Sequence, residues 1–193
     1  MDINQKLKSL SPEIRKNFEK TLEQLKKHID ILYELATIDE KTGVYNNKFF
    51  KTISEREIDK AKREIEPLSL MIMDLDHFKK INDNHGHLTG DLILKRVGFV
   101  LRENTRKYDL VSRFGGEEFI VLFPNTNLSR AKKVSERLRR KIQEDKYLSV
   151  YNLTISGGLC EYKKNDTINR MKARADKALY NAKNNGRNLI QTE

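Results

Sequence analysis

Apolar residues of the first forty positions recur at Ile14, Phe18, Leu22, Leu25, Ile29, Leu32 and Leu35 or Ala36, in steps of three and four. That period predicts one long amphipathic helix. Ser11-Pro12-Glu13 supplies its start, with a capping hydroxyl, a proline suited to the first turn and an acidic side chain at the positive end of the dipole. The pattern changes at Asp39-Glu40-Lys41-Thr42-Gly43, which reads as a turn. A helix is expected from about Asn46 to Ile65, with Phe49, Phe50 and Ile53 facing inward. Leu68 to Met73 reads as a buried strand, and Asn82 to Gly90, polar and glycine-containing, as a loop. Asp91 is then expected to cap a helix carrying Leu94, Val97 and Leu101. Leu110–Phe114 and Glu118–Phe123 predict a hairpin joined through Gly115-Gly116. Ser129–Lys146 reads as a helix, Asn152–Cys160 as a strand, and Arg170–Asn184 as a helix stopped by Asn185-Gly186. The order is that of an α/β sandwich with an antiparallel element.

Composition narrows the class. The chain has 193 residues, 37% hydrophobic and 34% charged, enough apolar content for a core. No apolar run approaches the ~20 residues of a membrane span. Met1-Asp2-Ile3-Asn4 has no basic, then apolar, leader character, so the expectation is a cytoplasmic protein. The single cysteine, Cys160, cannot form an internal disulfide. The net charge of +10 suits either a polyanionic partner or a solvated lysine-rich surface. Its distribution says more. Residues 1–38 hold seven basic and six acidic side chains, whereas Arg130–Lys146 holds eight against three and Arg170–Arg187 six against one. An anion site therefore belongs to the C-terminal body.

Two acidic clusters stand at strand ends: Asp74-Leu75-Asp76 and, after the Gly-Gly turn, Glu117-Glu118. Either alone could mark an exposed turn. Together, beside glycines that let a nucleotide approach the backbone, they suit a divalent cation with hard oxygen ligands. The His85-x-His87 pair lacks further ligands at zinc spacing.

These residues carry a resemblance. Arg113-Phe114-Gly115-Gly116-Glu117-Glu118-Phe119 resembles the signature of the GGDEF-domain diguanylate cyclases in its GGEEF form. Asp74-Leu75-Asp76-His77-Phe78-Lys79-Lys80-Ile81-Asn82-Asp83 is similar to the family's DxDxFKxIND stretch. His85-Gly86-His87 and Gly90-Asp91 match its GH and GD, Asp39, Thr42 and Gly43 its DxLTG opening, and Gly186-Arg187-Asn188 its closing GRN. The likeness covers about residues 39–190.

The resemblance implies a polymerase-palm-like α/β GGDEF domain, a central mostly antiparallel sheet flanked by helices, over residues 39–193. Residues 1–38 would form a preceding amphipathic helix for dimerisation or signalling. It implies a homodimer that condenses two GTP into cyclic di-GMP and releases pyrophosphate. Mg²⁺, or Mn²⁺ in its place, would be held by Asp74, Glu117, the Leu75 carbonyl and Glu118, with Glu117 also assisting deprotonation of the attacking hydroxyl. Asn82 and Asp91 would read guanine, and His87 would contact substrate nearby. His77, Phe78 and Lys79 would meet phosphate through a turn, and Lys183 and Arg187, four apart and able to share a helix face, the distal phosphates. Without the resemblance, cations at a helix end would merely offset its dipole. Arg106 and Asp109 match an inhibitory product site (RxxD), with Arg137 auxiliary to it.

Three departures stand out: Lys41 in place of the family's leucine, Asn47-Lys48 in place of paired arginines, and Gly157 within Ser156-Gly157-Gly158 in place of an aliphatic residue. None is expected to touch the metal or guanine ligands; Lys41 and Gly157 are expected to affect packing. Two other readings are a silent domain that binds cyclic di-GMP and a basic nucleic-acid-binding module. Intact metal and guanine positions disfavour the first. The basic helices lack aromatic stacking residues for the second, so no nucleic-acid partner is expected; from the short apolar runs, no membrane span is expected either.

Overall fold

The computed structural model describes residues 11–64 and 66–193. Residues 1–10, and Ile65 at the expected end of the second helix, lie outside the described residues. The chain separates into two compact units, Met1–Thr37 and Ile38–Glu193.

The first unit is helix α1, Pro12–Thr37. Ser11 caps it as its sequence suggests, its Oγ accepting from the Ile14 N–H at 3.4 Å. Arg15–Glu19 and Glu23–Lys27 pair one turn apart on its surface. A lone helix has no second layer of its own, and Ile14, Phe18, Leu22, Leu25, Ile29 and Leu32 are exposed.

The second unit runs α2 (Asn47–Glu64), β1 (Ser69–Leu75), α3 (Phe78–His85), α4 (His87–Glu103), β2 (Leu110–Gly115), β3 (Glu118–Phe123), α5 (Leu128–Gln143), a 3₁₀ turn (Leu148–Tyr151), β4 (Ile155–Glu161), α6 (Ile168–Asn184) and β5 (Ile190–Thr192). The five strands form one mixed sheet in the order β2-β3-β1-β4-β5. β1 is antiparallel to β3 and β4, and β4 is parallel to β5. No helix of the described residues is long and apolar enough to cross a membrane.

β1 is central and buried along its whole length, which explains its uninterrupted apolar run. Successive side chains point to opposite faces of a sheet. Met71, Met73 and Leu75 join a core with α3, α4 and α5, whereas Leu70 and Ile72 join a core with α2 and α6. The same alternation turns Asp74 toward the α6 face.

Gly158, opposite Ile72, makes that face tight. A Cβ there would lie 2.0 Å from the Ala175 carbonyl oxygen and 2.3 Å from the Leu179 nitrogen, both α6 backbone atoms. The missing side chain lets α6 lie flush on the sheet. At Gly157, where an aliphatic residue was expected from the family pattern, a Cβ would come within 2.6 Å of Ile190 Cδ1, so β5 fills that space.

Several expectations are corrected. Residues 82–90 are not a loop but the end of α3 and the start of α4, separated at Gly86 (φ 82°). α3 starts from His77 in the left-handed region (φ 59°) and buries only Phe78 and Ile81, so its remaining residues are polar because they face water. α4 consequently begins at His87, which puts Asp91 inside the helix rather than at its cap. β4 starts at Ile155 because residues 148–151 form a 3₁₀ turn closed by Asn152 (φ 51°). β5 was not foreseen.

Gly158→Ala should push α6 off the sheet and cost about 1–3 kcal/mol of stability. Denaturant unfolding measures this, and an unchanged midpoint contradicts the close approach.

Candidate active site

The site is organised around the C-terminal end of β1. Asp74 pairs in register with Glu118 on β3 and Ser156 on β4. The Leu75 N–H donates to the Glu117 carbonyl at 3.3 Å, tying the Gly-Gly turn to the same strand end. Opposed like charges on neighbouring strands are destabilising. Lys183, near the end of α6, answers them: its Nζ lies 2.9 Å from Asp74 Oδ2.

All three carboxyl groups are held above their usual range. For Asp74, burial is the main cause, opposed by the Lys183 hydrogen bond. For Glu117, burial acts first and the nearby Asp74 charge adds to it; Glu118 behaves likewise, with Asp176 contributing. Burial and the neighbouring carboxylates disfavour the charged form, and the Lys183 ammonium favours it. Asp74 and Glu117 therefore lie close enough to repel, in an acidic pocket answered mainly by the Lys183 ammonium.

Among the described residues, no three His, Cys, Asp or Glu side chains converge as a ready-made metal cage. The donor set instead suits a hard divalent cation held by one or two carboxylates, with further oxygens from outside the protein.

Asp76 has a different task. Its Oδ1 accepts from Ser156 Oγ at 2.7 Å, and its Oδ2 from Thr154 Oγ1 at 2.7 Å and the Asn188 N–H at 3.1 Å. It binds β1 to β4 and to the segment after α6. In that segment Arg187 (φ 63°) and Asn188 (φ 48°) are left-handed, and Arg139 donates to Asn188 Oδ1 at 2.7 Å. Arg187 thus projects from a held turn beyond α6, not from a helix face shared with Lys183. Its charge still lowers the Asp74 carboxyl.

The β2–β3 turn is held open. Arg113 donates to the Gly116 carbonyl through Nε at 3.0 Å and Nη2 at 2.7 Å, and pairs with Asp39 at 3.3 Å. A Cβ at Gly115 or Gly116 would meet nothing within 4 Å, and Gly116 has φ 46°. The turn offers bare backbone beside the carboxylates.

Asn82, His87 and Asp91 gather where α3 meets α4. Asn82 Oδ1 is buried without a hydrogen-bond partner, and a Cβ on Gly90 would come within 1.9 Å of it. Such an acceptor is costly unless a donor arrives. His87 stands exposed at the first position of α4. Asp91 accepts from Lys41 Nζ at 2.8 and 3.0 Å. The expectation that no departure touches these ligands is thereby corrected; Lys41 was judged only by its own motif, fifty residues away in sequence. His77, exposed, precedes α3, whose first amides, including those of Phe78 and Lys79, have no partner inside a helix.

A second cluster lies at the start of β2. Asp109 Oδ2 accepts from the Arg106 N–H at 2.8 Å, while Oδ1 is buried and unpartnered. Burial raises the Asp109 carboxyl, opposed by Arg106 and Arg137. Arg106 and Asp109 line a cavity of about 270 Å³ with Gly43, Tyr45 and Arg102. Arg137 donates to the Asn104 carbonyl at 2.9 Å.

The family model "Diguanylate cyclase, GGDEF domain" matches residues 36–189. The chain belongs to this family. It is 37% identical to diguanylate cyclase A of Treponema denticola over 166 residues, 82% of this chain and 45% of that protein. It is 33% identical to diguanylate cyclase DgcP of Pseudomonas aeruginosa over 193 residues, 98% of this chain and 29% of that protein. The chain thus spans less than half the length of these GGDEF relatives. Among solved structures it is similar to the coiled coil and GGDEF domain of DgcB from Caulobacter crescentus in complex with c-di-GMP. The TM-score is 0.83 at 28% identity, covering 95% of this chain and 100% of that one.

The Lys183–Asp74 pair links an expected phosphate contact to an expected metal ligand. The sequence placed Asp76 only in the acidic cluster and gave Arg113 and Arg139 no role; Asp76 and Arg113 stand inside the matched motifs, whereas nothing marks Arg139 among the basic residues of α5. Asp76→Ala would leave two hydroxyls and an amide without their acceptor and cost about 3 kcal/mol or more, each orphaned group costing ~1–3 kcal/mol. Equilibrium unfolding reports it, and a loss below 1 kcal/mol contradicts the bracket.

Proposed function

We propose that this chain is an active diguanylate cyclase domain. It condenses two GTP into cyclic di-GMP and releases two pyrophosphates. The observation that carries this reading is the acidic strand end: Asp74, Glu117 and Glu118 against one ammonium, beside a bare glycine turn and an unpartnered buried guanine acceptor, Asn82 Oδ1.

Asp74, Glu117 and the Leu75 carbonyl, with Glu118, would hold Mg²⁺, or Mn²⁺ in its place. Bound there, the ion would neutralise phosphate oxygens and acidify the attacking hydroxyl. The remaining work falls to the chain. Asn82 and Asp91 accept from the guanine N1–H and 2-amino group, a donor pair adenine lacks, with His87 alongside. The α3 amides of Phe78 and Lys79, after His77, donate to phosphate oxygens. Lys183 transfers its ammonium from Asp74 to the distal phosphates, joined by Arg187. Glu117, at the same strand end, takes the proton of the 3′-hydroxyl. That oxygen bonds to the α-phosphorus of the second GTP, the bond to the bridging α–β oxygen breaks, and pyrophosphate leaves. A second such step closes the ring.

Each domain holds one GTP, so two must face each other. The exposed stripe of α1 suits pairing with a second copy, which raises the effective concentration of the two heads. Arg106 and Asp109, with Arg137, form the inhibitory product site. The unpartnered Asp109 Oδ1 accepts from a guanine, and the Arg106 fork donates to its edge or to phosphate.

Incubation with GTP and Mg²⁺ should yield cyclic di-GMP, and Glu117→Gln should lower the rate on the order of 10²-fold or more. No cyclic product from the wild type, or equal rates, overturns the reading. In the same assay added product should slow the wild type and leave Arg106→Ala unaffected. Deleting residues 1–38 should lower activity most at low protein concentration.

A further inference from the structure

Lys41 does not reach Asp91 by chance of an extended side chain. Its turn is locked: Asp39 Oδ1 accepts from the Thr42 N–H at 3.0 Å and Thr42 Oγ1 at 2.7 Å, and the Asp39 carbonyl from the Gly43 N–H at 2.8 Å. The turn is also pressed on α4. The Thr42 carbonyl oxygen lies where a Cβ on Gly98 would approach to 2.2 Å, and Arg102 Nη1 donates to the Gly43 carbonyl at 3.1 Å. Asp91, Gly98 and Arg102 are seven and then four residues apart, so they share one face of α4. The turn runs along that face and delivers the Lys41 ammonium to both Asp91 oxygens.

The pair is a poor stability device. The Lys41 and Asp91 side chains are 46% and 43% exposed, and an exposed ion pair adds little. Both groups are accessible to a ligand and free to share it. An ammonium has three donors and no acceptor. Guanine carries its 6-oxo oxygen next to the N1–H, so a base that donates its N1–H to Asp91 sets that oxygen on the carboxylate's flank.

We propose that Lys41 is a specificity-determining residue, its ammonium bridging Asp91 and the 6-oxo oxygen of the bound purine. The proposal rests on the reading of Asn82 and Asp91 as the guanine site. Asn82 and Asp91 recognise the donors of the base, and Lys41 recognises the acceptor beside them. A 6-amino purine meets the ammonium with its own hydrogens and is rejected twice.

The test compares GDP with 6-thio-GDP, which keeps N1–H and the 2-amino group but replaces the 6-oxygen by sulfur, a weak acceptor. Neither carries a pyrophosphate leaving group, so calorimetry on the full chain reads binding without turnover. The wild type should prefer GDP by about tenfold or more, as expected for a hydrogen bond from a charged donor. Lys41→Met should bring the ratio to within about twofold, and Lys41→Arg should keep it. Equal ratios in wild type and Lys41→Met overturn the proposal, including the case where Lys41→Met binds both ligands more tightly because lysine merely masked Asp91. An Asp91→Ala variant with unchanged GDP affinity would instead overturn the underlying placement of the base, and the proposal with it.

Discussion

One contact organises the body of this protein: the Lys183 ammonium on Asp74 at the end of the central strand. A strand buried on both faces is a poor place for a carboxylate, and a second and third beside it make it worse. The sheet tolerates them because β1 is paired on both sides and α6 supplies a cation. The raised carboxyl groups of Asp74, Glu117 and Glu118 show that this compensation is incomplete. In the proposed function such a pocket, with its displaceable ammonium, would receive a cation and a polyphosphate together, the ion answering the carboxylates and the phosphates the ammonium.

Close backbone approach positions these charges. Gly158 lets α6 lie on the sheet, which brings Lys183 within reach of Asp74. Gly90 makes room for Asn82, and Gly98 for the turn that carries Lys41. Asp76, buried and saturated, holds the segment that displays Arg187. Three glycines and one carboxylate thus set where the candidate binding groups stand.

Much of this was legible in the sequence. β1 reads from its apolar run because it is buried on both faces, the hairpin from the glycines of its turn, and α1 from the three-and-four spacing that marks an amphipathic helix even where its stripe is exposed. The polar stretch 82–90 misled because α3 buries only Phe78 and Ile81, so a surface helix there has a loop's composition. Asp91 was misplaced by one turn for the same reason: the break falls at Gly86, and a helix can start on a glycine without a capping side chain. The ordered motifs named the candidate residues but not their partners. Lys183–Asp74 and Lys41–Asp91 join residues far apart in the chain, and only the packing of α6 on the sheet and of the 39–43 turn on α4 brings them together.

In the proposed cyclase, Asp74 and Glu117 share one divalent ion beside a bound triphosphate. A crystal structure with Mn²⁺ and a non-hydrolysable GTP analogue, with the ion placed by its anomalous scattering, tests it most directly. The expected density holds one ion with carboxylate oxygens of both residues at about 2.0–2.2 Å, close to the octahedral Mg²⁺ distance, and Lys183 moved onto phosphate. An ion held by phosphate oxygens alone, with Lys183 still on Asp74, would contradict it.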